Sequence, residues 1–317
     1  MKEIPVLDFS LWSSDPEKFA SKLGKAFSTT GFVRIVNHTI QPTTIVNLLD
    51  QSQTFFNRNR TLQEKSTLIQ NNGGQTGYVP PGSESAKGSD VADLKEFYHY
   101  AREGNPRIPM QYFFEEAMHQ MYEEFFLMAD KLMMAVALSL DLPMGHFSNT
   151  LRDGDSLLRV LHYPPITKDP GEAMRAEQHE DINLITLLIG ANAKGLQVLD
   201  VDGKTWIDIE PNQDELIVNP SDMLHRLTNG VYRSVTHRVV NPPKTEWHKP
   251  RISIPFFVHP ISGLFKDNSF SLTPLENCVV KSGQESLGPI TASQFLAVRL
   301  YELGLLPDHV MIDAIRH

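Results

Sequence analysis

The 317-residue chain has one cysteine, Cys278, so an intrachain disulfide is excluded and the composition suits a reducing compartment. The lone thiol reads as a small core residue rather than a nucleophile. A basic tract is also missing: Lys and Arg number 29 against 38 Asp and Glu, for a net charge of −9. That balance argues against a phosphate backbone, and hence nucleic acid, as partner. Long apolar runs are absent too. The best stretch, Leu127 to Leu142, is interrupted by Asp130, Lys131 and Asp141 and falls short of the roughly 18–20 apolar residues that span a bilayer. The opening MKEIPVLDFS lacks the basic, apolar and small-residue segments of a secretory signal. These absences together predict a soluble, cytoplasmic protein without a membrane segment. Nothing in the sequence specifies an oligomeric state.

What is present is enough apolar material, 41% of residues, for a sizeable core. Ile4 to Phe9 and Phe32 to Val36 read as strands. Pro16 to Thr29 carries Phe19, Leu23 and Phe27 at helical spacing, with Gly31 ending the helix, and Thr43 to Phe56 is again helical. Residues 71–90, rich in Gly, Ser, Pro and Asn, read as a surface loop and a candidate lid. Tyr112 to Leu140 is a long helix whose methionines read as core filler. From Ser156 the pattern changes to short β segments: Ser156 to Tyr163, Ile182 to Ile189, Leu196 to Asp200, Thr205 to Ile209, Glu215 to Val218, Ser234 to Val240 and Arg251 to Val258. Turn residues lie between most of them. Thr291 to Leu305 reads as a closing helix. The expected architecture is mainly β with flanking helices, a barrel or jelly roll over about 156–260. An N-terminal α/β region (1–110) packs on it, and 111–317 supplies the long helix, the core and the C-terminal helical segment.

The sharpest local feature is His179-Glu180-Asp181. On extended chain, residues two apart point the same way, so His179 and Asp181 can address one ion while Glu180 turns aside. A third ligand is offered by His237, in the β-branched stretch Tyr232 to Val240. Two histidines and a carboxylate on one face leave open coordination positions, the arrangement of non-haem iron(II) oxygenases. A closed structural zinc site would call for four ligands, usually with partnered cysteines, which Cys278 lacks.

Fourteen residues beyond His237 begins Arg251-Ile252-Ser253-Ile254-Pro255-Phe256-Phe257-Val258. As a strand, it places Arg251, Ser253, Pro255 and Phe257 on one face. A guanidinium beside a hydroxyl makes a carboxylate site, and Tyr163, ending Arg159 to Tyr163, can bring a second hydroxyl to it. The alternative is an ordinary edge-strand arginine.

This combination resembles the isopenicillin N synthase-like family of 2-oxoglutarate/Fe(II)-dependent dioxygenases. The resemblance rests on His179-x-Asp181, 55 intervening residues (182 to 236), His237 and Arg251-x-Ser253, with Tyr163-Pro164-Pro165, Gly195-Leu196-Gln197-Val198, Thr228-Asn229-Gly230-Val231-Tyr232 and Ser234-Val235-Thr236-His237-Arg238-Val239. Ile4-Pro5-Val6-Leu7-Asp8 and Gly31-Phe32-Val33 through Asn37-His38 resemble the family's leading segment, so the likeness runs from about residue 3 to 265. It implies a double-stranded β-helix in which His179, Asp181 and His237 hold Fe(II). It further implies that Arg251, Ser253 and Tyr163 bind 2-oxoglutarate, and that dioxygen is consumed. No catalytic residue beyond the metal ligands is implied. Two positions depart from the family pattern. Leu161 stands where many members have Asn, which bears on how the keto-acid end is supported, and Ser221 stands where many have Gly before Asp222.

The activity so implied is oxidative decarboxylation of 2-oxoglutarate coupled to hydroxylation, desaturation or ring closure of a small organic molecule. One alternative lies inside the same fold: His179-Glu180-Asp181, Leu184-Ile185-Thr186 and Ser253-x-Pro255-Phe256-Phe257-Val258 are also similar to isopenicillin N synthase, a ring-closing oxidase that uses no 2-oxoglutarate. Against it, the final residues Met311 to His317 lack a penultimate Gln. A zinc hydrolase would leave Arg251 unexplained and has no placed general base, and a non-catalytic module would usually have lost a ligand. Candidate substrate contacts are Phe257, Tyr78, Phe97, Tyr98 and Arg175.

Overall fold

A computed structural model describes residues 3–57, 68–69, 76–84, 91–103, 105, 112–189, 193–210, 212, 214–263, 268–303 and 306–316. In chain order its elements are β1 (Val6–Asp8), α1 (Ser10–Ser14), α2 (Pro16–Thr29), β2 (Val33–Val36), α3 (Pro42–Asn57), β3 (Gly77–Val79), β4 (Glu96–Ala101), α4 (Tyr112–Ser139), α5 (Ser148–Arg152) and β5 (Leu157–Tyr163). There follow β6 (Ala176–His179), β7 (Ile185–Ile189), β8 (Leu196–Leu199), β9 (Trp206–Asp208), β10 (Leu216–Pro220), α6 (Asp222–Leu227), β11 (His237–Val239), β12 (Arg251–Val258), α7 (Glu276–Ser282), α8 (Ala292–Glu302) and α9 (Asp308–Arg316).

The strands form two sheets, a jelly roll. The larger has the order β1-β2-β10-β7-β12-β5-β4-β3, the smaller β6-β11-β8-β9. Four strands of the large sheet (β1 to β4) come from the first 110 residues, so the N-terminal region does more than pack on the core: it lengthens the core sheet at both edges. The lid candidate 71–90 lies partly outside the described residues. Residues 76–84 within it are described, with β3 paired to β4.

Period-2 alternation sorts the large sheet into two faces. Leu158, Val160, Ile252, Ile254, Phe256, Tyr98 and Tyr100 face the helices. There Phe125 of α4 stacks on Phe256 at 5.3 Å, and Tyr122 meets the same ring edge-on at 5.2 Å. Helix α4 buries Met118, Met121, Met128 and Met133 completely in this layer, as its composition suggests. The opposite face carries Leu157, Arg159, Leu161 and Tyr163 of β5 and Arg251, Ser253, Pro255 and Phe257 of β12, and these line a cavity of about 560 Å³ between the sheets.

Local chemistry fixes the element boundaries. Asp15 caps α2 by accepting from the Lys18 N–H at 3.0 Å, with Pro16 at the first helical position. Thr291 and Gln294 form a capping box on α8. Gly31 turns the chain out of α2 at φ 68°, and a Cβ there would meet Val235 Cγ2 at 2.2 Å. Gly31→Ala is therefore expected to destabilise the protein by about 2–5 kcal/mol, from a left-handed backbone penalty of about 1–2 and overpacking of about 1–3. In urea unfolding the midpoint should fall with an unchanged slope; an unshifted midpoint would show that the turn relaxes freely.

Candidate metal centre and anion pocket

His179 ends β6 and His237 begins β11, and the two are register partners across an antiparallel pair. Directly opposed residues of such a pair are close neighbours on one face, and the imidazole centroids lie 4.4 Å apart. Asp181 is placed differently from the strand-parity expectation. β6 stops at His179, and Asp181 lies in irregular backbone whose carbonyl accepts from the Asp222 N–H at 2.9 Å. The carboxylate still converges, with Oδ1 3.7 Å from His237 Nε2. One atom from each of the three residues lies within 4.8 Å of the others. Glu180 turns aside, accepting a hydrogen bond from the Thr236 hydroxyl.

The supporting contacts prepare these atoms for a cation. His179 Nδ1 lies 2.7 Å from the Glu177 carbonyl and His237 Nδ1 3.1 Å from that of Val235. Each Nδ1 therefore carries the proton and each Nε2 presents its lone pair inward. Burial, with His237 adding to it, pushes the His179 pKa down to about 4, so the neutral ligand form prevails at pH 7. Burial opposes the charge on Asp181, yet His237, His179 and hydrogen bonds from Asn219 and Thr186 hold its pKa below the ordinary value. Those two donors, Thr186 Oγ1 at 2.7 Å and Asn219 Nδ2 at 3.1 Å, both go to Oδ2, leaving Oδ1 for an ion. Neutral imidazoles, one ionised carboxylate and no thiolate fit iron(II), and a single-sided set leaves coordination positions open toward the cavity.

One end of the cavity is cationic. Arg251, 1% exposed, donates Nη1–H to Ser253 Oγ at 2.9 Å and Nε–H to the Ala193 carbonyl at 3.1 Å. Its guanidinium lies 5.0 Å from the Tyr163 ring centroid, and β12 pairs Arg251 directly with Tyr163. Arg175, also buried, has its guanidinium 5.9 Å from the same centroid. It donates to the Lys249 carbonyl at 3.0 Å, and its Nε–H has no partner among the described residues. Burial, then the Arg251 charge, lowers the Arg175 pKa to about 10. Among the described residues neither arginine has a carboxylate partner. Two buried guanidiniums without a counter-ion are unfavourable unless an anion joins them. Four apolar side chains, Leu161, Leu188, Leu196 and Val239, line the cavity between this end and the metal cluster and keep the dielectric low.

The sequence profile described as 2OG-Fe(II) oxygenase superfamily matches residues 154–260, and the one described as non-haem dioxygenase in morphine synthesis N-terminal matches residues 4–124. The chain is 37% identical to a Caulobacter crescentus protein assigned to the 2OG-Fe(II) oxygenase family, whose crystal structure superposes with a TM-score of 0.83 over 95% of this chain and 99% of that one. The chain belongs to the 2-oxoglutarate/Fe(II) oxygenase superfamily. An Aspergillus fumigatus 2-oxoglutarate-Fe(II) type oxidoreductase is 30% identical over 276 residues, 80% of this chain and 81% of the relative. A Neurospora crassa protein, solved in complex with alpha-KG and thymine, is 27% identical and superposes with a TM-score of 0.80 over 94% and 96% of the two chains. As an oxygenase of this superfamily the protein is a non-haem dioxygenase that uses Fe(II), 2-oxoglutarate and dioxygen, and the 2-oxoglutarate-independent ring-closing alternative is not favoured.

Within this oxygenase the candidate substrate contacts separate. Phe257 lines the cavity. Phe97 is buried one layer behind, its ring 4.0 Å from the Arg159 guanidinium. Tyr98, next along β4, necessarily faces the other way and packs edge-on against Phe55 and Phe114. Tyr78 also belongs to the helix-side core and donates its hydroxyl to Glu96. Neither tyrosine is a cavity residue, which corrects that part of the sequence expectation. Arg175 does not line the cavity either; it is buried behind Tyr163, its guanidinium 5.9 Å from that ring centroid. The sequence reading missed Arg159, Glu84, Asp93, Lys95 and His99, together with Leu296 and Leu300 of α8, all of which line the same cavity. Parity would have found Arg159, since Tyr163 facing inward places residues 161, 159 and 157 inward too.

Proposed function

We propose that His179, Asp181 and His237 hold the iron(II), and that Arg251, Ser253 and Tyr163 take the distal carboxylate of 2-oxoglutarate. The observation that carries this reading is the buried Arg251 guanidinium, which lacks a carboxylate partner among the described residues and lines the same cavity as the metal cluster, with Arg175 buried close behind Tyr163. When bound, iron(II) with 2-oxoglutarate and dioxygen supplies an oxidant that removes hydrogen from an organic substrate, releasing succinate and carbon dioxide. The protein's part is arrangement. Arg251 fixes one end of the co-substrate by a charge-assisted contact, while Arg175 adds positive potential from behind Tyr163. Leu161, at the position where many members have Asn, gives the middle of the co-substrate an apolar wall. The peptide carbonyls at Glu177 and Val235 lock the imidazole tautomers, and Thr186 with Asn219 fixes the carboxylate rotamer.

A cavity of about 560 Å³ is in the range for a small organic ligand beside the co-substrate, so the substrate is a small molecule. Phe257, two residues beyond Pro255 on the inward face, borders its site. The single buried thiol, Cys278, suits a reducing, cytoplasmic setting, and no described helix is long and apolar enough to cross a membrane. Anaerobically reconstituted protein, once exposed to dioxygen, should convert 2-oxoglutarate to succinate, faster when a substrate is present. Stoichiometric zinc with hydrolytic activity would overturn the reading.

Thr186→Val removes the donor to Asp181 Oδ2 while keeping the side-chain shape. Iron affinity should fall by about 10–100-fold, the usual effect of losing a contact that orients a metal ligand. Competition with a chromogenic chelator measures it; unchanged affinity would mean that Asn219 alone suffices.

A further inference from the structure

This inference rests on the iron and 2-oxoglutarate reading and concerns the chemistry of the molecule oxidised. Besides the metal cluster and Arg251, the cavity meets a compact set of charges. Arg159 lies four residues from Tyr163 on β5, roughly 13 Å along the strand. Its Nη1 and Nη2 donate to the Glu84 carboxylate at 3.3 and 3.2 Å, and its Nε donates to His99 Nε2 at 2.6 Å. Lys95 pairs with Glu84 at 3.0 Å and with Asp93 at 2.7 Å. Two cations and two anions cancel, and all four side chains are at most 16% exposed. Burial works against the Glu84 charge, but Arg159 and Lys95 together hold its pKa well below the ordinary carboxylate range. A substrate bearing a full charge of either sign would enter this partly desolvated site with no free counter-ion, an unfavourable transfer.

The hydrogen-bond inventory is asymmetric. Both Glu84 oxygens already accept from Arg159, and one also receives Lys95. Asp93 accepts from the Glu177 N–H and from Lys95. The acceptors are therefore occupied. Arg159 has five N–H groups, of which three are used among the described residues, so two donors remain. The guanidinium lies 4.0 Å from the Phe97 centroid and 5.2 Å from that of Phe257, which restrains the plane in which those donors lie. Leu157, Ile182, Leu296 and Leu300 add apolar wall to the cavity, and the Arg299 that lines it with them is paired to Asp222 at 3.4 Å and Glu302 at 2.7 Å.

We propose that Arg159 is the specificity-determining residue of this oxygenase, presenting its two spare N–H groups to a carbonyl-type oxygen of an uncharged, largely apolar substrate. The class comprises ketones, amides, lactams and esters. Carboxylates and amines are excluded by the balanced ion pairs.

Matched probes on one ring system test this: 2-naphthamide, 2-naphthoate and 2-naphthylmethylamine, titrated calorimetrically into anaerobic Fe(II) protein saturated with 2-oxoglutarate. The amide should bind at least ten-fold more tightly than either charged probe. Arg159→Met should weaken the amide by at least ten-fold while 2-oxoglutarate still binds. Glu84→Gln, a loop substitution that leaves the strands intact, gives the site a net positive charge and should strengthen naphthoate by at least ten-fold. Equal binding of the three probes, or binding of none, overturns the proposal, as does an Arg159→Met protein that keeps full amide affinity. Failure of the wild-type protein to bind 2-oxoglutarate at all would instead refute the reading beneath it.

Discussion

Asp181→Asn yields a folded protein that no longer retains iron(II). The side chain keeps its shape, and its oxygen can still accept from Thr186. What is lost is the only anionic donor in the cluster. Removing a contact that merely orients a ligand already weakens metal binding by about 10–100-fold, so replacing the charged ligand itself should exceed that range. The metal-free protein tells the other half. In it the Asp181 carboxylate, accepting from Thr186 and Asn219 at 2.7 and 3.1 Å, is held below its ordinary pKa despite burial, so above the unfolded pKa its charge contributes to stability. At pH 7 the metal-free variant should thus melt somewhat below the wild type, and the gap should close as the pH falls through the Asp181 titration. Iron(II) should raise the melting temperature of the wild type, because a ligand that binds only the native state stabilises it, and should leave the variant unmoved. An equal iron(II)-induced rise in variant and wild type would show that Asp181 is not a ligand.

Arg251→Met separates co-substrate binding from metal binding. Methionine can fill the space of the arginine stem, and it removes a buried cation that has no acidic partner among the described residues. Stability should therefore hold or rise, and iron should still bind at the triad. Truncating one member of a buried, hydrogen-bonded charge pair typically costs about 2–5 kcal/mol. At about 1.4 kcal/mol per decade, the Kd for 2-oxoglutarate should rise by roughly 30-fold to several thousand-fold. Ser253 and Tyr163 remain but offer neutral contacts only. Calorimetric titration of the metal-loaded variant checks this, and an unchanged Kd would move the anchor elsewhere.

The triad and the Arg251-x-Ser253 pair were legible in sequence because short-range periodicity and residue chemistry coincide there. Strand β12 runs from Arg251 to Val258 as its β-branched and aromatic content suggests, and α2 and α4 follow their apolar stripes closely. The strand argument for Asp181 reached the right residue by the wrong route. The chain leaves β6 at His179, and it is backbone contact with Asp222 and side-chain contact with Thr186 and Asn219 that aim the carboxylate. Strands β3 and β4 were illegible for another reason: three residues following a glycine-rich stretch, and six that mix Glu, His and aromatics, present no clean alternation. Their pairing with each other and of β4 with β5 is a tertiary fact. Glu84 meets Arg159 and Lys95 only once that pairing forms, so no local pattern announces it. The paired choice of Phe97 and Tyr98 broke the period of two, and the structure keeps one on each side of the sheet.

The account stands most directly on whether the cavity distinguishes 2-oxoglutarate by its far carboxylate. Anaerobic Fe(II) protein should be followed by difference spectroscopy while 2-oxoglutarate or 2-oxobutyrate, which lacks that carboxylate, is added. Wild type should develop a weak visible charge-transfer band with 2-oxoglutarate at concentrations at least roughly 30-fold below those needed for 2-oxobutyrate, the lower bound set by a lost buried charge pair, and Arg251→Met should erase the preference. No band with 2-oxoglutarate, or an equal response to both acids in the wild type, would contradict the assignment.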